Sequence, residues 1–426
     1  MEKTDERYGA YIAILKEELI PAMGCTEPIA LAYAAAKARA VLGCLPDRVL
    51  VEASGSIIKN VKSVIVPNTN HLKGIPAAAT AGIIAGDPNR ELEVIASVSE
   101  EERNEMRNFL DNVEIKVEHV DFDHVFDLIV TEWKGDSCAK VRITDYHTNI
   151  VLIEKDGKVI FKKEMETSGA GEVRTDRSLL DMEHIYDFAN SVDIRDVEEI
   201  LDRQIQYNTA ICEEGLLGDY GSNIGSVLLK TYGHDIKVRA RAKAAAGSDA
   251  RMNGCELPVI INSGSGNQGI TASIPVIEYA KELSCGKEKL YRALVISNLT
   301  AIHQKTGIGT LSAFCGAVSA GAGAGAGIAY LIDGSLEAID HTVVNALAIV
   351  SGIVCDGAKA SCAAKIASSV DAGILGFQMY RNGQDFRSGD GIVMKGIENT
   401  IRNIARLGKE GMKETNEEII SMMVEN

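Results

Sequence analysis

Three of this chain's nine cysteines, Cys315, Cys355 and Cys362, fall within one stretch, and nowhere in the 426 residues do two cysteines form a CxxC pair. Cys355 and Cys362 are seven residues apart, two turns if they share a helix, which would put both sulfurs on one face. Cys315 lies forty residues earlier and has to be brought in by the fold. Three thiolates leave one position open on a tetrahedral metal or on the corner iron of a cubane cluster, and an open position can activate a substrate. The competing reading is a non-enzymatic protein holding a structural zinc or a redox cluster, with Cys285 as the spare thiol that would close the site.

Two other stretches carry chemistry. In IPAMGCTEP, Pro21 and Gly24 end one helical run and Pro28 suits the first turn of the next, so Cys25, Thr26 and Glu27 stand at a helix amino terminus. Free backbone N–H groups and the positive end of the dipole there should lower a cysteine pKa below its usual value of roughly 8.5. In NSGSGNQG, Asn262 to Gly269, glycines let a ligand approach the backbone closely. Ser263, Ser265, Asn267 and Gln268 are candidates to hold a carboxylate there. The order GxxxxGK[ST] of a phosphate loop is absent. A weaker candidate is the polar loop PNTNHLK with Asn68 and Thr69, and His303 and Lys305 are the titratable groups preceding Cys315 most closely; each could be a base or a helix cap.

The elements that must position these groups read as α+β. A mainly helical, Ala/Gly-rich unit, residues 1–90 with 168–426, carries the cysteines, and a smaller α/β unit, residues 91–167, holds a mostly antiparallel sheet. The strand pattern starts earlier, at RVLVEASGSIIKNVKSVIVP. Within the small unit ELEVIASV reads as a strand, SEEERNEMRNFL as a Ser-capped helix, VEIKVEHV as a strand, and the segments from Phe126 to Glu164 as a meander of alternating apolar and polar residues. METSGAGEVRTD reads as a linker.

Lys plus Arg is 44 against 60 Asp plus Glu, so the net charge is −16 and a basic groove for nucleic acid is not expected. The charged amino terminus lacks an apolar stretch of the secretory kind, and a reducing cytoplasmic setting suits nine unpaired cysteines. From Thr306 to Ile332 no residue is charged, a length sufficient to span a bilayer, but Gly, Ala and Ser dominate it. A buried helix packed closely by small residues, not a membrane helix, is the expectation, and such packing allows a homodimer.

Taken together in their order, GCTEP, NSGSGNQGI, FCGAVSAGAGAGAG and CDGAKASC resemble the oxygen-sensitive iron–sulfur L-serine dehydratase α-chain superfamily, and within it the L-cysteine desulfidases. The resemblance covers most of the chain. It implies a [4Fe–4S] cluster on Cys315, Cys355 and Cys362, a catalytic Cys25, and no pyridoxal phosphate. An iron without a protein thiolate would act as Lewis acid toward the β-sulfur of L-cysteine or the β-hydroxyl of L-serine. A base would take the Cα proton, with Cys25, His303 and Lys305 all open for that role. The implied activity is L-cysteine to pyruvate, ammonia and hydrogen sulfide, with L-serine dehydration as the alternative.

Overall fold

The computed structural model describes residues 1–163, 175–309 and 311–424. Helix α1 (Glu6–Glu18) leads through strand β1 (Pro21–Met23) into α2 (Thr26–Leu42), then β2 (Arg48–Ala53), α3 (Gly55–Val61) and α4 (Gly74–Ala85). Helix α5 (Glu100–Asn112) starts with the expected capping box, the Ser99 hydroxyl accepting from the Glu102 N–H and the Glu102 carboxylate accepting from the Ser99 N–H. Strands β3 (Glu114–His119), β4 (Asp127–Lys134), β5 (Ser137–Thr144), β6 (Ile150–Lys155) and β7 (Lys158–Lys162) follow.

These strands form one six-stranded sheet in the order β3-β2-β4-β5-β6-β7, with β2 and β3 parallel and every other pair antiparallel. The meander is therefore as read from the sequence. Arg48–Ala53, which lies before residue 91, is an inner strand of the same sheet. Helix α2 covers one face, against β4 and β5.

The rest is helical: α6 (Met182–Ser191), α7 (Glu198–Leu217), α8 (Ile224–Tyr232) and α9 (Ile236–Met252), then the short strand β8 (Pro258–Ile260). After it come α10 (Gly266–Glu282), α11 (Lys287–Ile308), α12 (Gly316–Ile332), α13 (Leu336–Val350), α14 (Ser361–Arg381), α15 (Ile397–Arg406) and α16 (Lys413–Val424). The fold is α+β.

The uncharged run begins in the end of α11, and from Gly316 to Ile332 it becomes α12, buried from Ala317 to Leu331 between α10, α11, α13 and α14. Its alternate glycines are what allow this. A Cβ on Gly321 would stand 2.5 Å from the Ser369 carbonyl oxygen of α14, and one on Gly323 equally near the Ser297 carbonyl oxygen of α11. No helix among the described residues is long and apolar enough to cross a membrane.

Three local expectations are corrected. Arg48 to Pro67 is not strand throughout: after β2 the chain turns into α3, whose Lys59 and Asn60 are buried where the site needs polar groups. Glu91 to Val98 is not a strand either; Glu91–Glu93 forms one 3-10 turn, and Leu92, Val94 and Ile95 are buried in the core outside any strand. Finally, Cys355 and Cys362 do not share a helix, since α14 begins at Ser361. The linker METSGAGEVRTD lies outside the described residues except for Thr175 and Asp176.

Candidate active site

The GCTEP and NSGSGNQG stretches meet because β1 and β8 pair. Pro21 stands opposite Ile260 and Met23 opposite Pro258, and the Ile261 N–H adds a bond to the Ile20 carbonyl. This short ladder sets Cys25, at the start of α2, beside the turn that opens α10. Gly24 has φ +55°, and a Cβ there would press on the Pro67 ring at 2.8 Å, so only glycine makes the corner comfortably. Thr26 ties the two stretches directly, its hydroxyl donating to the Gly264 carbonyl at 3.0 Å.

The turn itself is tight. Ser263 and Gly264 both have positive φ, and the Asn262 and Ser265 backbones exchange two hydrogen bonds at 3.1 Å. The Asn262 side chain anchors it by donating to the Asn298 side-chain and backbone oxygens of α11. Helix α10 then leaves from Ser265. A Cβ on Gly269 would stand 2.0 Å from the Ile260 carbonyl oxygen, so this glycine lets the helix lie on β8.

The cysteines converge from a second ladder. Phe314 pairs with Val354; the Cys315 N–H donates to the Ile353 carbonyl, and the Cys355 N–H donates to the Ala313 carbonyl. That pairing closes the forty-residue gap. Cys315 then starts α12, while Cys362 sits in the first turn of α14, after a bend at Gly357 with φ +93°. Lys359 and Lys365 both hold the Asp356 carboxylate, and Lys365 also donates to the Val354 carbonyl. Lys59 reaches across from α3 to the Cys355 carbonyl at 3.3 Å and to Asn416 of α16 at 2.6 Å.

All four thiols line a single cavity of about 110 Å³. With them stand Glu27, Asn60, Arg251, Ser265, Asn267, Gln268 and Lys305, and the remaining wall is largely apolar, including Leu311, Phe314, Ala358 and Ile366. Of the residues singled out in the sequence, Ser265, Asn267 and Gln268 are thus brought to the cysteines. Ser263 faces the adjoining cavity of about 340 Å³, which shares Lys305 with the first. Asn68 and Thr69 lie at a separate small cavity, with Asn68 bonded to the Ile95 carbonyl and Arg103, and Thr69 to the Val66 carbonyl. His303 points elsewhere, its Nε2 paired with Glu398 at 2.9 Å. Cys285 lies between α10 and α11 and is not in the wall of this cavity.

Electrostatics correct one expectation. The Cys25 thiol is pushed up, not down, because burial and then the Glu27 carboxylate outweigh the helix amino terminus and Arg251. Its Sγ donates to Glu27 at 3.3 Å, so it is a held thiol. Lys305 moves the other way: burial lowers its amine to about 8 against the pull of Cys355 and Cys315. Arg251 and Asn60 had not been read as site residues. The signal for Arg251 was there, since AKAAAGSDARM is a helix of small residues, which must be buried, ending in a charge.

Among the described residues no three His, Cys, Asp or Glu side chains are gathered so as to hold a single metal ion, so fit to a metal group is judged on the donor set. Burial and then the neighbouring Cys355 push Cys315 up to about 12, and burial raises Cys362 also. Three thiols lining one cavity become thiolates together only with a cationic metal group to offset their charge, which is what a cluster provides. The donor set fits.

Comparison with known proteins is consistent with that chemistry. A family model described as serine dehydratase alpha chain matches residues 89–421, which include the three cavity cysteines after residue 300 but not Cys25. Similar proteins over the whole length include a UPF0597 protein of Desulfitobacterium hafniense, 62% identical over 424 residues, covering 100% of this chain and 98% of that one. Another, from Lachnoclostridium phytofermentans, is 56% identical over 98% of this chain and 100% of its own. A third, from Treponema denticola, is 45% identical over 100% of both.

Proposed function

Since the chain belongs to the serine dehydratase α-chain family, we propose that it is an iron–sulfur-dependent lyase that removes the β-substituent of a small L-amino acid, and that its substrate is L-cysteine. The observation that carries this reading is the single cavity in which Cys315, Cys355, Cys362, Cys25, Lys305 and the amino terminus of α10 meet. A [4Fe–4S] cluster on Cys315, Cys355 and Cys362 would supply Lewis acidity toward the β-substituent.

The chain's own residues divide the proton work. Lys305 is buried, lines the cavity and carries an amine whose pKa of about 8 leaves a usable neutral fraction. It takes the Cα proton. As the Cα–H and Cβ–S bonds break and the Cα–Cβ double bond forms, the Cys25 thiol gives its proton to the departing sulfur, with Glu27 holding the thiol in line. The aminoacrylate released tautomerises and takes up water, giving pyruvate and ammonia. His303 is a poor candidate for the base because Glu398 holds it outside this cavity.

L-Serine is the second reading, favoured by the family's description. Sulfur is preferred because the apolar wall, Leu311, Phe314, Ala358 and Ile366, would strip a hydroxyl of hydrogen bonds at little cost to a sulfur. The test is anaerobic: purify the protein, measure iron and acid-labile sulfide, and assay pyruvate from each amino acid. A brown protein with about four irons that turns over L-cysteine at least tenfold faster than L-serine, by kcat/KM, is expected. The opposite preference moves the assignment to serine dehydratase, and a colourless zinc protein without lyase activity ends both readings.

A further inference from the structure

We propose that Arg251 binds the substrate's α-carboxylate, and that Asn267 and Gln268 accept from its α-ammonium group, so the cavity is built for an amino-acid zwitterion; this deepens the lyase reading and rests on it. Arg251 is 2% exposed and among the largest fully buried side chains in the molecule. It lines the cavity, yet makes no hydrogen bond or ion pair with any described residue, and its Nε is buried without an acceptor. The carboxylate within the same wall, Glu27, is engaged by Cys25 and Asn60. A buried guanidinium without a counter-ion is costly to fold around, and a bidentate carboxylate is the partner its planar fork fits.

Two independent observations point to the same ligand. The backbone makes room for the guanidinium: a Cβ at Gly266, the first residue of α10, would stand 2.3 Å from the Arg251 Nε. Alongside, Asn267 Oδ1 and Gln268 Oε1 are buried acceptors with no donor. The Gln268 amide lies against Gly316, where a Cβ would come within 2.6 Å of it, beside Cys315. One unpaired fork donor and two unpaired acceptors around a small cavity match the two charged ends of a zwitterion. The sequence reading had both amides donating to the carboxylate; Arg251 takes that role.

The test compares anaerobic, iron-loaded wild type with Arg251→Gln, Arg251→Lys and Gly266→Ala, the last displacing the guanidinium from the loop side. Calorimetry with L-alanine, which keeps the zwitterion and has no leaving group, should show binding weakened at least thirtyfold in Arg251→Gln and at least fivefold in Arg251→Lys and Gly266→Ala. Ethylamine, the same molecule without its carboxylate, should bind all four proteins alike. Iron content and visible absorbance should not change. If Arg251→Gln is too unstable to isolate, Arg251→Lys and Gly266→Ala decide. Unchanged L-alanine binding in the variants, no binding by wild type, or loss of iron in the variants would overturn the proposal. If wild type eliminates neither cysteine nor serine while L-alanine binding still depends on Arg251, the lyase reading fails and the zwitterion site stands.

Discussion

A cysteine at a helix amino terminus invites the thought of a thiolate, and Cys25 shows why position alone does not decide protonation. The dipole contributes a fraction of a charge, while complete burial and a carboxylate 3.3 Å away both favour the neutral thiol. Its chemistry is therefore that of an acid. Cys25→Ala is expected to retain iron and absorbance and to lose at least about 100-fold in kcat, the usual range for a removed proton donor; a loss under tenfold would remove Cys25 from the mechanism. Lys305 supplies the pH dependence. Only its neutral amine accepts a proton, and with a pKa of about 8 that fraction grows as pH rises. The kcat/KM of wild type should climb and level off above about pH 8, and in Lys305→Met both the rate and that limb should disappear. A limb that persists in the variant would assign it to another group. The residue types were legible in the sequence; the direction of each pKa was not, because burial is a property of the fold.

What the elements contribute is the meeting of distant stretches through very short ladders. The β1–β8 pair spans three residues a side, and Phe314–Val354 is a lone bridge, so neither has a strand-length pattern to read. The seven-residue spacing of Cys355 and Cys362 suggested one helix, whereas the bend at Gly357 brings the two sulfurs to the cavity. By contrast the meander β4 to β7 was legible strand by strand, because alternation over five or more residues with turns between has few other readings. Close approach at glycine carries the geometry of α10. Gly269→Ala would force a Cβ onto the Ile260 carbonyl oxygen, moving either β8 or the first turn of α10, which holds Asn267 and Gln268. We expect a loss of about 1–3 kcal/mol and a Tm lower by several degrees, with activity reduced further than stability explains. Gly9→Ala is the control: Gly9 lies exposed in α1 with nothing near its Cβ, and alanine there should leave Tm unchanged or raise it. Equal behaviour of the two variants in urea melts would dismiss the close-packing argument.

Across the whole molecule the acidic balance, −16, has to be accommodated around a body whose interior packs Ile, Val and Leu together with many Ala. Most carboxylates meet solvent or a cation. Asp340 on α13 is half-buried without a cation: one of its oxygens is buried without a partner, and burial, with Glu398 and Glu183 nearby, raises its pKa to about 7. Glu398 is itself held by His303, which ties α15 to α11 at the same place. In the fold Asp340 stays protonated up to about pH 7, while in the unfolded chain it ionises above about 3.8. The native state thus binds more protons between these values, and unfolding free energy falls as pH rises through that window. Asp340→Asn cannot ionise and escapes this loss. Its Tm should match wild type near pH 4 and exceed it at pH 8, by a margin on the order of 1 kcal/mol after allowing for partial screening, roughly 2 °C. The comparison isolates this residue, because Glu132, also buried and raised, titrates identically in both proteins. A Tm difference that is the same at pH 4 and pH 8 would mean that the gain comes from packing the amide and not from relieving a buried charge.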